Sequence, residues 1–367
     1  MMYTFDQLAL IWLAFSESLT FKGRERLMDH FGTAQKAFNA WGSKAYDLVG
    51  PKACEELTAL HKRGLSGMQA ILEQSDIQAV FREDDNYPML LNEITDAPEV
   101  LFYRGAMEKA DERAVAIIGS RRETRYGREQ AFKIARDLAQ NGVTVVSGLA
   151  YGIDTAAHLG ALDGSGRTIA VLGSGLNRIY PKDNIPLADK IIRSGGAVIS
   201  ELPPESEPLA YHFPVRNRIV SGLVHGVLLI EAREKSGTMI TVGHALTQGR
   251  DVFALPGPVD APGSVVPHRF LREGARLCTC ANDILEDMGW QSREMQMMMP
   301  GVAADLDDLT PVQRSIYDSL SDEVRSFEDV MSLNDLSPGD LNAHITMLEI
   351  RGLIESLPGR IYRMKRN

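Results

Sequence analysis

The residues best suited to chemistry are arginines, lysines and hydroxyl side chains that follow glycine-containing turns. The first such turn, Gly119-Ser120-Arg121-Arg122, comes directly after the apolar run Ala114–Ile118. Unpaired backbone N–H groups where a strand leads into a helix favour an anion, and a guanidinium fork matches phosphate oxygens. Lys235-Ser236-Gly237-Thr238 supplies a cation, two hydroxyls and a glycine for close approach. These types predict a phosphate-binding site, although a tight turn with solvated arginines remains an alternative for the first segment alone.

Further segments bring small, cationic or aromatic residues to the ends of predicted strands. Tyr180 is a candidate for stacking or for core packing, and Arg216 and Arg218 either contact an anion or pair with Glu201, Glu205 or Glu231. The pattern matches neither the Gly-x-Gly-x-x-Gly dinucleotide fingerprint nor a Walker A sequence, so neither NAD nor hydrolysed ATP is predicted, and no cofactor is expected. The remaining candidates for DNA or phosphate contact are Ser147, Gly148, Gly173, Ser174, Gly175, Lys182 and Asn217.

Groups for catalysis or metal binding are not recognisable in the sequence. The histidines at 158, 212, 225 and 244 have no triad-like or metal-like neighbour, and neither a nucleophile elbow nor a carboxylate pair is found. Cys54, Cys278 and Cys280 lack ligand spacing, and the last two are expected to be packing residues that alternate along a strand. The surplus of binding groups over catalytic groups predicts a protein that is not an enzyme and holds no metal.

Composition narrows the class of protein. The chain has 367 residues, 44% of them hydrophobic, and a formal net charge of −10. This acidity disfavours non-specific coating of nucleic acid by the whole surface, but a local basic pocket remains compatible with it. The N-terminus lacks the basic region of a signal peptide and no apolar run is long enough for a bilayer, which predicts a cytoplasmic protein without membrane contact.

The elements that must position these turns alternate between strand and helix. Doubly wound parallel sheets deliver their loops to one edge, so the alternation predicts an α/β fold with a Rossmann-like parallel sheet and a groove along that edge. Lead-in strands are predicted at Ile77–Phe81 and Val100–Tyr103, and a last short strand at Arg276–Thr279. The main strands are predicted at 114–118, 143–146, 168–172, 197–200, 227–231 and 252–255, and the helices near 125–140, 154–162, 184–194, 217–224 and 239–248, with Phe213–Arg218 as a loop before the fourth helix.

The flanking regions predict further domains. Residues 1–75 are expected to form an all-helical domain of SAM or helix-hairpin-helix type, and residues 76–290 the Rossmann-like domain with its lead-in strands. Residues 291–308 form a linker that is rich in methionine and then acidic. Residues 309–367 are expected to form three helices and a hairpin, which is a winged helix. The third helix of this winged helix has few cations, so protein binding or a structural role is as well supported as DNA reading. For the N-terminal domain, DNA binding, protein binding and a packing role without a ligand all stay open.

Taken together, these motifs resemble the DprA/Smf family, the DNA-processing proteins of natural transformation. The resemblance rests on Ser147–Asp154, with the sequence SGLAYGID, and on Phe213–Ile219, with the sequence FPVRNRI. Asp85–Gly105, Ile118–Arg121, Val171–Leu176, Tyr180–Asn184, Lys235–Thr238 and Gly249–Gly257 extend it, so that it covers about Phe81 to Met288.

The resemblance implies a protein that binds single-stranded DNA, protects incoming strands, loads the RecA recombinase and forms homodimers through the Rossmann-like domain. By motif position it assigns phosphate contact to Gly119, Ser120, Arg121, Lys182, Asn217, Arg218 and Lys235. The competing hypothesis is a nucleotide phosphoribohydrolase of the lysine-decarboxylase-like fold. Those enzymes carry a catalytic glutamate three residues after Gly-Thr, where this chain has Thr241.

Overall fold

The computed structural model describes residues 3–42, 45–234, 236–290, 309–320, 324–334, 336–350, 353–357 and 360–364. The chain divides into two compact units, Met1–Met288 and Gly289–Asn367. The predicted linker at 291–308 lies outside the described residues, and the boundary near residue 75 remains a prediction. Among the described helices, none is both long enough and apolar enough to cross a bilayer.

The centre of the first unit is a sheet of nine strands within the described residues. Its order is β1-β2-β6-β5-β4-β3-β7-β8-β9, in which β3 to β9 run parallel and the lead-in strands β1 and β2 are antiparallel. The predicted doubly wound sheet is therefore confirmed. The strands are β1 (Gln78–Phe81), β2 (Val100–Gly105), β3 (Ala114–Ile118), β4 (Thr144–Ser147), β5 (Thr168–Val171), β6 (Ala197–Ser200), β7 (Gly226–Leu229), β8 (Asp251–Ala254) and β9 (Arg276–Leu277).

Strand β3 is the point at which the winding of the sheet reverses. Val115 pairs with Val145 of β4 on one side and with Gly226 of β7 on the other. The loops that leave β3 and β7 therefore diverge at the carboxyl edge, and this divergence opens a crevice.

Helices cover both faces of the sheet, and apolar residues at helical spacing form the core beneath them. Ile134 and Leu138 of α8 are fully buried, and so are Ile219 of α11 and Val242 of α12. The helices are α7 (Met89–Asn92), α8 (Arg125–Gln140), α9 (Ile153–Asp163), α10 (Ile185–Arg193), α11 (His212–Gly222), α12 (Thr238–Thr247), α13 (Val265–Arg272) and α14 (Ala281–Asp287).

Two local predictions are wrong. Helix α11 begins at His212, so Phe213–Arg218 lies inside the helix and not in a loop before it. Pro214 is compatible with this start, because the N–H groups of a first helical turn need no intrahelical partner. Strand β9 ends at Leu277, and Cys280 caps α14 and is not a strand residue.

Short helices at the N-terminus confirm the helical prediction for this region, and the structure shows that they pack on one face of the same sheet. Fully buried Trp12 donates to the Leu57 carbonyl at 3.0 Å, and Phe15 meets Phe102 of β2 edge-to-face at 5.6 Å between ring centroids. The helices and this face of the sheet therefore share one hydrophobic core. The helices are α1 (Phe5–Ala14), α2 (Phe21–Phe31), α3 (Ala34–Asn39), α4 (Tyr46–Val49), α5 (Pro51–Arg63) and α6 (Leu65–Gln74).

The second unit is a small bundle of helices with a short sheet. Buried Ile316, Leu341 and Tyr362 form its core, and β12 lies between β10 and β11 in an antiparallel sheet. This is the predicted winged-helix arrangement. Its elements are α15 (Pro311–Ser319), β10 (Arg325–Ser326), α16 (Phe327–Asn334), α17 (Pro338–Ile350), β11 (Ile354–Leu357) and β12 (Ile361–Met364).

A buried histidine links α9 to the sheet. The Thr168 hydroxyl donates to the Val145 carbonyl at 2.7 Å, so it accepts from Nδ1 of His158 at 2.7 Å. Nδ1 therefore carries a proton, and Nε2 is buried without a hydrogen-bond partner. Burial, and then the charge of Arg216, lower the pKa of His158 to about 3.

This histidine predicts a stability that depends on pH. The unfolded chain takes up the His158 proton below a pH of about 6.5, whereas the folded chain does not until about pH 3, so acidification favours unfolding. Between pH 7.5 and 5.5 this residue should cost about 1.4 kcal/mol of unfolding free energy. Urea unfolding at both pH values measures this drop in the free energy of unfolding, and His158→Asn should make the drop smaller by about 1.4 kcal/mol. A variant with the same pH dependence as the wild type would contradict the assignment to His158.

Candidate functional site

A cavity of about 800 Å³ opens at the carboxyl edge of the sheet, where the loops after β3 and β7 diverge. The lining residues come from those two loops and from the loops after β4 and β5. The first turns of α9 and α12, the segment before α11 and α11 itself complete the lining. Among the described lining residues the basic ones are Arg121, Arg122, Arg216 and Arg233, and the acidic one is Asp154. The cavity is therefore locally cationic although the chain carries a formal charge of −10.

The loop after β3 is held tightly against the start of α9. A side chain at Gly119 would place its Cβ only 2.6 Å from the Ile153 side chain, so glycine is required for this approach. The Ile153 N–H donates to the Ser120 carbonyl at 3.1 Å, and the Arg122 N–H donates to the Ser120 hydroxyl at 3.0 Å. Both loop arginines remain exposed and line the cavity.

The loop after β7 leads into α12 on the opposite wall. Helix α12 begins at Thr238, whose hydroxyl donates to the Gly119 carbonyl at 3.3 Å. The Ser236 hydroxyl accepts from the Thr238 N–H at 3.2 Å and lies 2.8 Å from the Thr238 hydroxyl. These bonds bring the N-terminus of a ten-residue helix to the cavity, where its dipole favours negative charge.

An aromatic group accompanies the cations. The Arg121 guanidinium lies over the Phe213 ring, 5.3 Å from its centroid, and the Tyr180 ring lies edge-to-face with Phe213 at 5.9 Å. All three side chains line the cavity, and Tyr180 is 42% exposed. An exposed aromatic beside a guanidinium suits a ligand with both planar apolar groups and negative charge.

Beneath these groups lies a buried pair of opposite charges, Arg216 on α11 and Asp154 on α9. Nη1 of Arg216 donates to the Val171 carbonyl at the end of β5. Oδ2 of Asp154 accepts from the N–H groups of Gly148 at 3.1 Å and Ala150 at 3.3 Å. A Cβ on Gly148 would lie 2.7 Å from both Nη2 of Arg216 and Oδ2 of Asp154, so glycine lets the pair lie under this loop.

Burial has opposite effects on these two charges. It lowers the pKa of Arg216 to about 10; Asp154 counteracts this, and the nearby Arg121 charge adds to it. Burial raises the pKa of Asp154, whereas Arg216 and the two amide donors oppose that rise. Arg216 therefore stays cationic at neutral pH and keeps a positive charge in the cavity wall.

The cavity brings together most of the residues predicted for phosphate or DNA contact. Lys235 lies outside the described residues. Those that line the cavity are Gly119, Ser120, Arg121, Arg122, Gly148, Tyr180, Arg216, Asn217, Ser236, Gly237 and Thr238.

Other predicted site residues do not line it. Arg218 faces away and pairs with Glu201 at 2.6 Å and Asp96 at 3.0 Å, because successive helical positions two apart point in different directions. The sequence left open whether Arg218 contacts an anion or pairs with a glutamate, and the structure shows the pairing. Ser147 donates to the Ile117 carbonyl, and Ser174 is buried. Gly173 packs against the Phe213 ring, and Gly175 packs against the carbonyls of Pro203 and Pro204. Lys182 is exposed on a short 3₁₀ turn.

Among the charged and aromatic side chains of the described cavity lining, three are missing from the sequence-based site. Arg233 lies two positions before Lys235 in the same loop, so a wider window would have found it. Phe213 and Asp154 belong to segments that the motif search had already singled out. Nothing in the sequence showed that either side chain turns towards the cavity. Thr241, the position of the missing glutamate, does line the cavity.

The fold and this cavity define a class: an α/β protein with a doubly wound sheet, a cationic crevice at the switch point and a C-terminal winged helix. The family profile described as DNA recombination-mediator protein A matches residues 78–289, and the DprA winged helix domain matches residues 301–360. The chain belongs to the DprA/Smf family of DNA-processing proteins.

Relatives and solved structures agree with this assignment. Protein Smf of Escherichia coli is 36% identical over 321 residues, which cover 86% of this chain and 85% of the relative. DNA processing protein DprA of Streptococcus pneumoniae is 46% identical over 204 residues, 56% of this chain and 72% of the relative. Its X-ray structure aligns with a TM-score of 0.63 and 35% identity, covering 78% of this chain and 99% of that one.

A second solved structure concerns the single-stranded DNA binding mode of DNA processing protein A from Helicobacter pylori. It aligns with a TM-score of 0.52 and 29% identity, covering 58% of this chain and 97% of that one.

The close packing at Gly148 predicts a large effect of a single methyl group. Gly148→Ala should lower the unfolding free energy by about 1–3 kcal/mol, because the added Cβ displaces a buried charge. Gly243→Ala is the matched control, because this glycine lies within α12 with no atom near its Cβ position. The change should raise the free energy of unfolding by about 0.5–1 kcal/mol. Urea unfolding of both variants measures the difference, and a Gly148→Ala chain as stable as the wild type would refute the packing argument.

Proposed function

We propose that this chain is a non-catalytic protein that binds single-stranded DNA in the cationic cavity at the carboxyl edge of its sheet. The observation that carries the proposal is the convergence of four arginines, the N-terminus of α12 and the Phe213–Tyr180 pair on one cavity. Single strands are held by cations on the phosphates and by aromatic rings on the bases, at about 1–3 kcal/mol per stacked base.

Among the described lining residues, the protein's own negative charge is confined to one buried carboxylate. Asp154 is buried beneath Gly148, and Glu201 is engaged by Arg218 outside the lining. Phosphate affinity depends on the charges that touch the backbone and not on the net charge. An acidic chain with this cavity therefore binds a strand locally and does not coat it.

By its family, we propose that the chain acts in the cytoplasm during natural transformation and homologous recombination. There it protects incoming strands, loads RecA, and forms homodimers through the Rossmann-like domain. Light scattering on the purified chain should give twice the chain mass, and RecA filament assembly on single-stranded DNA should be faster when the chain is present. A monomer at all concentrations would contradict the homodimer, and unaltered assembly kinetics would contradict the loading of RecA.

Removing the two exposed arginines of the loop after β3 should weaken DNA binding without unfolding the chain. Arg121→Ala with Arg122→Ala should lower the affinity for a labelled oligothymidine at least about tenfold, the size of one charge-assisted contact. The dependence of log K on log salt should become shallower by about 1.4, for two phosphates on a single strand. Fluorescence anisotropy across a salt series measures both quantities.

The matched control makes the same charge change at the opposite edge of the sheet. Arg136 and Arg193 lie near the C-terminal ends of α8 and α10, which lead into the amino ends of β4 and β6. Arg136→Ala with Arg193→Ala should leave both the affinity and the salt dependence near the wild-type values. Equal losses in the two double variants would indicate a general charge effect and not binding in the cavity.

A further inference from the structure

The buried pair at the wall of the cavity has a consequence beyond holding the fold. Asp154 is the acidic residue among the described lining residues, and it lies beside Arg216 under Gly148. The exposed Arg121 lies close enough to Arg216 for its charge to lower the pKa of the Arg216 guanidinium. Two like charges face one small region, and a negative charge placed there would stabilise both.

Arg216 still has unused hydrogen-bonding capacity. Nη1 donates to the Val171 carbonyl, whereas Nε is buried without a hydrogen-bond partner. The side chain is 6% exposed and belongs to the cavity lining. A guanidinium has five N–H donors in a fixed fork, and in this chain the carboxylate of Asp154 supplies the compensating charge.

The Asp154 carboxylate lies where the positive charge of Arg216 would otherwise attract an anionic ligand. Its Oδ2 accepts from two backbone N–H groups of the loop after β4, and the nearby Arg216 charge opposes the rise of its pKa. Backbone N–H groups beside an arginine are the usual partners of a bound phosphate. The Asp154 side chain therefore accepts hydrogen bonds from backbone N–H groups of the kind that bind phosphate.

We propose that Asp154 is an affinity-determining residue: its carboxylate neutralises Arg216 in the cavity wall and so weakens the binding of single-stranded DNA. The inference rests on the proposed function of the cavity. With the carboxylate present, the pair adds no net charge to the site. Without it, the Arg216 charge is available to the nearest phosphate.

The test is a set of four chains: wild type, Asp154→Asn, Arg216→Met, and the double variant. Asp154→Asn removes the charge and keeps an oxygen that accepts from the Gly148 and Ala150 amides. Anisotropy with a labelled oligothymidine at pH 7.5 should show about tenfold tighter binding for Asp154→Asn, the size of one charge-assisted contact. Its salt dependence should be steeper by about 0.7, for one additional phosphate.

The other variants separate charge from structure. Arg216→Met leaves a buried carboxylate in the cavity wall and should bind weakest, and adding Asp154→Asn should restore most of the lost affinity. A purely structural role predicts instead that every variant binds no better than wild type. Asp137→Asn, on α8 near its C-terminus, makes the same charge change away from the cavity and should leave binding unchanged.

A second readout covers the case in which Asp154→Asn is poorly folded. Its unpaired guanidinium should lower the melting temperature, and saturating oligothymidine should raise that temperature more in the variant than in the wild type, since a phosphate replaces the lost carboxylate. A smaller or equal rise, or wild-type affinity in a folded Asp154→Asn chain, would overturn the inference. If the wild-type chain itself fails to bind the oligonucleotide, the proposed function fails first.

Discussion

The structure depends on placing the Arg216 guanidinium beneath the loops at the carboxyl edge of a parallel sheet. A buried charge is costly unless an opposite charge and hydrogen bonds accompany it. Here the Val171 carbonyl at the end of β5 accepts a hydrogen bond from Arg216, and the nearby Asp154 carboxylate supplies the opposite charge. Gly148 is required because a Cβ would collide with the pair. The same constraint ties α9, α11, and the ends of β4 and β5 together. The shape of the cavity and its charge therefore have a common origin.

Local charge, and not net charge, decides what this acidic chain can bind. The negative residues are concentrated elsewhere: Glu201 and Asp96 engage Arg218, and Glu108 and Asp111 engage Arg167. Within the described lining, four arginines face one carboxylate. Folding separates the two signs, so that a cationic crevice exists on a molecule with an overall charge of −10. Screening by salt limits such a field to about 8–10 Å, which confines the attraction to the crevice.

The N-terminal helices share their core with the sheet. Trp12 is fully buried in the cluster that also contains Phe102 of β2. Both elements therefore lose buried apolar area if they separate. The second unit has its own core, and its helix α17 contains neither lysine nor arginine. A winged helix that reads DNA usually does so with this third helix, so protein contact or a structural role stays as well supported a prediction for the unit as DNA reading.

The sequence by itself determined the main strands of the large sheet, their alternation with helices, and the glycine turns at their ends. These follow from local rules: apolar runs such as Ala114–Ile118 form buried strands, and the Arg125–Gln140 pattern forms an amphipathic helix. Only the tertiary structure decided which cations share the cavity. Arg216 and Arg218 lie on one helix two positions apart, yet one lines the cavity and the other pairs with Glu201. The direction of a side chain depends on where its helix begins and on what packs against it, and neither is encoded in the spacing of the motif.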